Sequence, residues 1–203
     1  MDDDASVCKA LARLIKSVGL KAETFSSARE FLQRDPSDGP GCLVLDVRMP
    51  GLSGLDLQKE LAAAGRSIPI IFITGHGDIP MSVRAMKGGA VDFLPKPFND
   101  QQLLDAIHEA IARDTEAKKR DAERAEIRQR INTLTPREHQ VFTLVLTGML
   151  NKQIAAELGI TEKTIKVHRA RVMHKMQVLS VAELVHLVEK TGISTTEGQP
   201  ALD

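Results

Sequence analysis

The stretch "CLVLDVRMPGLSGLDL", residues 42–57, decides the fold. Leu43, Val44 and Leu45 follow one another without a polar residue, and Asp46 ends the run. A short continuous apolar run predicts a strand buried on both faces, which needs helices above and below the sheet. Directly after it, "GLDLQKELAAAG" carries apolar residues at helical spacing and closes at Gly65, a residue suited to ending a helix. Strand followed by helix is therefore the local unit, and the same alternation recurs outward in both directions.

Upstream, "ASVCKALARLIKSV" (5–18) spaces Val7, Leu11, Leu14 and Val18 as one helix face, with Asp4 as its N-cap. "KAETF" (21–25) is expected as a short strand, and "SAREFLQR" as a helix capped by Ser26 or Ser27. Downstream, "IPIIFIT" (68–74) and "VDFLP" (91–95) are expected strands. Between and after them, "DIPMSVRAMKGG", capped by Asp78, and "DQQLLDAIHEAIA" are expected helices. Repeated strand–helix units with buried strands predict an α/β fold, a doubly wound parallel sheet with helices on both faces.

Composition limits the function classes. A chain of 203 residues with 42% hydrophobic content fits two compact globular units. No window reaches the ~18–20 apolar residues of a membrane span, and the acidic start is not a secretory signal, so a cytoplasmic protein without a membrane partner is expected. Cys8 and Cys42 stand apart with no CxxC or HExxH pattern, which argues against a disulfide framework or a zinc site.

Open α/β sheets bind ligands at the carboxyl ends of their strands. There the sequence places Asp46, Thr74 and, just past "DFLP", Lys96. A preceding strand would set Asp2 and Asp3 on the same edge. Carboxylates converging on one point suit a hard cation such as Mg²⁺, which takes oxygen ligands and keeps waters.

Taken in order, "DDD", "CLVLDVRMPGLSGLDL", "IFITGHGD" and "DFLPKPF" resemble the receiver domain of two-component response regulators, over residues 2–112. The resemblance implies that Asp46 accepts a phosphoryl group from a sensor histidine kinase. It also implies that Asp3, Asp46 and the Arg48 backbone carbonyl ligate Mg²⁺, with Asp2 acting through water. Thr74 and Lys96 would hold the phosphoryl oxygens, Phe93 would be the switching aromatic, and Arg48 and His76 would tune dephosphorylation. Lys96–Pro97 is expected to be cis, a conformer cheap only before proline. Haloacid dehalogenases also phosphorylate a strand-end Asp, but their second acid, two residues on, is here Arg48. In receivers a strand precedes the acidic pair, whereas here only Met1 does; the first strand is apparently missing. Since a bacterial GUG codon reads Val internally and Met at a start, the native protein is expected to carry about ten further residues holding that strand.

The second half has a different character. Residues 113–133 lack Gly and Pro and alternate charge sign, as an exposed helical linker does. "TLTPREHQVF" then supplies a complete helix start, with Thr135 at the N-cap, Pro136 at N1 and Glu138 at N3. That helix should run to about Leu146. In "NKQIAAELGITEKTIKVHRARVMHKM", Ala155, Gly159 and Ile165 have the spacing of a helix-turn-helix, and "SVAELVHLVEK" adds a last helix. Residues 160–176 hold five basic side chains and one acidic, a balance suited to phosphates.

These segments resemble the LuxR-type, or NarL/FixJ, helix-turn-helix domain, and the receiver's wording is nearest the FixJ branch. The resemblance implies a recognition helix at 162–176, with Lys166 and Val167 toward base edges and Lys163, Thr164, Arg171 and Lys175 toward phosphates. Arg169 joins this DNA-binding set with its use open, since Ala170 stands where some relatives carry a basic residue. The expected organisation is a receiver at 1–112, a helical linker at 113–133, an all-α helix-turn-helix domain at 134–191 and a disordered tail at 192–203. The expected function is phosphorylation-controlled transcription regulation rather than enzyme catalysis. Its partners would be the kinase, double-stranded DNA, a second copy of the chain on phosphorylation, and RNA polymerase.

Overall fold

A computed structural model describes residues 1–34, 39–75 and 78–192. The chain divides into two compact units, Met1–Lys118 and a second from Lys119 onward. In the first, strands β1 (Leu43–Asp46), β2 (Ile70–Thr74) and β3 (Asp92–Pro95) form a parallel sheet in that order. Leu45 lies beside Phe72, and Phe72 beside Phe93.

Successive strand residues point to opposite faces. Leu43, Leu45, Ile70 and Phe72 meet α2 (Ala28–Leu32), α3 (Gly54–Ala63) and α4 (Ile79–Lys87) on one side. Val44, Ile71 and Ile73 meet α1 (Ala5–Ser17) and α5 (Asp100–Asn132) on the other. The sheet is doubly wound, as the apolar runs require. Ile71, Phe72 and Ile73 are 0% exposed, and burying each contributes about 1.5–3 kcal/mol.

The expected strand over "KAETF" does not form: residues 21–25 carry no strand assignment. A strand is held by its neighbour's ladder, and between this segment and β1 stand only Met1 and Asp2. Met1 fills one position, its ammonium donating to the Val44 carbonyl at 2.7 Å and its carbonyl accepting from Asp46 N at 3.0 Å. Asp2 N reaches the Phe25 carbonyl at 3.4 Å. Residues 21–25 are irregular, with this one backbone bond to Asp2. Burial pulls the Met1 ammonium below its ordinary pKa, against the opposing pull of nearby acidic groups.

The caps read from the sequence are in place at Asp4, Ser27 and Asp78. Gly54 opens α3 because nothing larger fits: a Cβ there would lie 2.4 Å from the Asp46 carbonyl.

The linker expected over 113–133 is divided between the two units. Asp114, 4% exposed, accepts Gly41 N–H at 2.8 Å and pairs with Lys118 at 2.9 Å. Lys118 in turn donates to the Gly39 carbonyl at 2.5 Å. These bonds fasten α5 to the loop before β1. At the helix's far end, Ile127 and Ile131 enter the core of the second unit. That unit adds α6 (Pro136–Leu146), α7 (Asn151–Leu158), α8 (Glu162–Met176) and α9 (Val181–Thr191), closed at Gly192. The remainder of the expected tail, 193–203, lies outside the described residues.

Removing the Asp114 carboxylate leaves a part-buried N–H without a partner, a loss of about 1–3 kcal/mol. Asp114→Ala is therefore expected to lower hydrogen-exchange protection of the Gly41 amide in the full chain by that amount; unchanged protection would contradict the fastening.

Candidate functional site

Parallel strands bring their last residues to one edge, so Asp46 and Thr74 stand side by side there. Both are buried, at 8% and 1% exposure. Lys96 follows β3 and is anchored by its own N–H, which donates to the Thr74 carbonyl at 2.6 Å. The Lys96–Pro97 bond is cis, as expected. Asp2 is 2% exposed and Asp3 is exposed. The carboxylates of Asp2, Asp3 and Asp46 lie within 4.8 Å of one another.

Lys96 Nζ holds this cluster, 2.6 Å from Asp2 Oδ2 and 3.5 Å from Asp46 Oδ2. Asp2 also accepts Asp4 N–H at 2.9 Å, and Asp46 Oδ1 accepts Arg48 N–H at 3.3 Å. Burial pushes the Asp46 carboxyl above its ordinary range, and the Asp2 charge adds to the push; Lys96 and the Arg48 N–H oppose it. Burial works against the Lys96 charge, but the hydrogen bond to Asp2 and the two carboxylate charges outweigh it and hold its pKa up. The oxygen-rich donor set suits a hard cation rather than a soft one. Phe93 is half-buried, its ring 6.4 Å from that of Phe72. Arg48 is exposed, and His76 lies outside the described residues.

In the second unit α7 and α8 form the helix-turn-helix. Gly159 takes φ +64° to end α7, the left-handed conformation glycine adopts without strain. Ala155 and Ile165 are buried where the helices meet. Lys163, Thr164, Lys166, Val167 and Arg171 are exposed on α8. Thr164 shares a hydroxyl hydrogen bond of 2.9 Å with Thr161, and Lys166 pairs loosely with Glu162 at 3.6 Å.

Two of the basic residues expected at the DNA face, Lys175 and Arg169, have partners within the unit. Lys175 Nζ is 2.6 Å from the Glu138 carboxylate and 2.7 Å from the Thr133 carbonyl. The Glu138 carboxylate is buried and already capping α6, so it requires a cation, and Lys175 supplies it. Arg169 donates to Asn151 Oδ1 at 2.8 Å, at the first turn of α7. Lys152, exposed beside Asn151 in the first turn of α7, is a basic residue that the sequence did not single out.

Known proteins agree with this geometry. The response regulator receiver domain model matches residues 1–108, and the bacterial regulatory proteins, luxR family, model matches 132–188. Nodulation protein W of Bradyrhizobium diazoefficiens is 57% identical over 196 residues, covering 96% of this chain and 86% of that protein. The solved response regulator StyR is 52% identical with a TM-score of 0.84, over 94% of this chain and 96% of that one. Full-length FixJ from B. japonicum is 46% identical with a TM-score of 0.56, over 94% of each chain. The chain belongs to the two-component response regulators that join a receiver domain to a LuxR-type DNA-binding domain. It is a transcriptional regulator of the NarL/FixJ group, with FixJ itself among its relatives. FixJ of Bradyrhizobium diazoefficiens, 45% identical over 193 residues, is a transcriptional regulatory protein.

The Glu138–Lys175 pair makes a pH dependence. Burial raises the Glu138 pKa, but Lys175 and the Thr135 N–H outweigh it and bring it below the ordinary 4.5. A carboxyl with a depressed folded pKa stabilises the fold above its unfolded value and loses that contribution as pH falls through the folded one. Acidification below about 4.5 is therefore expected to destabilise the helical unit. Glu138→Gln keeps a capping amide but should flatten this acid limb in pH-dependent thermal unfolding; an unchanged limb would contradict the pair.

Proposed function

We propose that Asp46 is the phosphoacceptor, and that its phosphorylation controls how strongly α8 holds DNA. One observation carries this reading: Asp46 ends a buried strand with Lys96 Nζ at 3.5 Å and two more carboxylates within 4.8 Å. An Asp46 oxygen attacks phosphorus in line as the kinase histidine leaves. The equatorial oxygens then need donors, which Thr74 and Lys96 supply. Asp3, Asp46 and the Arg48 carbonyl would hold Mg²⁺, with Asp2 behind water; when bound, the ion neutralises phosphoryl charge. Arg48 and His76 would tune dephosphorylation, as the family resemblance implies, and Phe93 follows Thr74 when the phosphoryl group draws it in.

Lys96 is the element that changes partner, because its ammonium rests on Asp2 until a phosphoryl group offers a stronger one. A cytoplasmic setting with a histidine kinase partner fits this chemistry. For dimerisation on phosphorylation, α4 offers Ile79, Val83 and Met86, at 80%, 45% and 45% exposure, one helical stripe. RNA polymerase is the further partner of a regulator seated on DNA. The functional borders proposed are a receiver through Lys118, a short helical linker, and a DNA-binding domain that takes in the last turns of α5.

On the DNA side, Lys166 and Val167 read base edges in the major groove while Lys163, Thr164, Arg171 and Lys152 meet phosphates. Lys166→Ala should cost about 1–3 kcal/mol on a selected duplex and relax specificity at one base pair. Lys175→Met, by contrast, should lower domain stability and leave the salt dependence of DNA binding unchanged; a flatter slope would return Lys175 to the DNA face.

Acetyl phosphate with Mg²⁺ is expected to add one phosphoryl mass to the chain, and Asp46→Asn to abolish the addition. Labelling that persists in the variant would place the acceptor elsewhere.

A further inference from the structure

The hydrogen bond between Arg169 and Asn151 has a consequence beyond local packing. At about 100° per residue, Arg169 lies about 40° from Ile165 around α8, on the flank of the helix that faces the core. Ile165 and Val172, the neighbours on that flank, are both 0% exposed. Lys163 and Val167 lie on the opposite side of the helix and Lys166 about 100° from Ile165, and all three are exposed. The guanidinium therefore reaches toward α7 rather than outward, and it meets Asn151 Oδ1 at 2.8 Å.

The start of α7 has no side-chain cap. Leu150 occupies the N-cap position, 69% exposed and without a side-chain oxygen to accept a first-turn N–H. Its own N–H is taken by Gln153 Oε1 at 2.8 Å. The other end of α7 is held by Arg137, which donates to the Leu158 carbonyl at 2.7 Å. Between α7 and α8 the chain is only Gly159–Thr161, and Ala155 and Ile165 pack where the two helices meet. The Arg169–Asn151 bond adds a directional tie from the first turn of α7 to the middle of α8, which apolar packing alone does not supply.

We propose that Arg169 is a positioning residue for DNA reading. Its clasp on Asn151 sets the angle at which α8 presents Lys166 and Val167, and it makes no phosphate contact itself. This rests on the assignment of α8 as the DNA-reading helix. Because base contacts are direction-dependent and phosphate attraction is not, loosening the clasp lowers selectivity and spares non-specific binding.

The test uses the full chain, a duplex chosen from a random library by the wild-type protein, and a random-sequence duplex of equal length. Arg169→Met and Asn151→Ala are each expected to reduce the selected-to-random affinity ratio about tenfold, and the double variant no further than either alone. Asn151→Asp, which keeps an acceptor for Arg169, is expected to retain the ratio. Salt slopes on the random duplex should match wild type in every variant. A slope reduced by about one unit in Arg169→Met would make it a phosphate contact and overturn the proposal, as would additive losses in the double variant. Failure of the wild type to enrich any sequence would instead sink the assignment of α8, a distinguishable result.

Discussion

Three carboxylates cannot share a crevice unless a cation offsets their repulsion, and Lys96 is the cation the receiver provides. Its ammonium sits 2.6 Å from Asp2 and 3.5 Å from Asp46. The rest of the unit exists to bring these groups together. Apolar strands set Asp46 and Thr74 on one edge, the Thr74 carbonyl anchors the Lys96 backbone, and Gly54 lets α3 pass close behind Asp46. Burial at the same time leaves Asp46 harder to ionise than a surface aspartate. A hard cation would offset the carboxylate charge that Lys96 alone offsets unequally, at 2.6 Å from one acid and 3.5 Å from another.

The helical unit uses its cations differently. A helix that binds DNA gains affinity from each free lysine or arginine, yet Lys175 and Arg169 are committed to Glu138 and Asn151. Arg130, near the end of α5, donates to the Met176 carbonyl at 3.1 Å and so closes the far end of α8. Recognition needs a surface held at one angle, and these bonds exchange raw electrostatic attraction for orientation. The same α5 residues that look like a charged tether in sequence are part of this unit's core, through Ile127 and Ile131.

What was legible in the sequence was what local pattern controls. The apolar runs at Leu43–Leu45 and Ile70–Ile73, the Thr135–Glu138 capping box and the Ala155/Gly159/Ile165 spacing each follow from neighbours a few residues apart. The strand-end acids were legible too, because parallel topology fixes where strand ends meet. "KAETF" was misread because a strand depends on the ladder of its neighbour, which five residues by themselves do not report. Asp114, Arg169 and Lys175 depend on partners 73, 18 and 37 residues away, and no local signal reports such distances.

The central claim is that chemistry at Asp46 is read out as DNA affinity. Beryllofluoride with Mg²⁺ mimics a phosphoryl group on a carboxylate, so the most direct measurement is affinity for a selected duplex with and without it. The account predicts tighter binding for the wild-type chain and no change for Asp46→Asn. Equal affinity of the wild type in both conditions would contradict it.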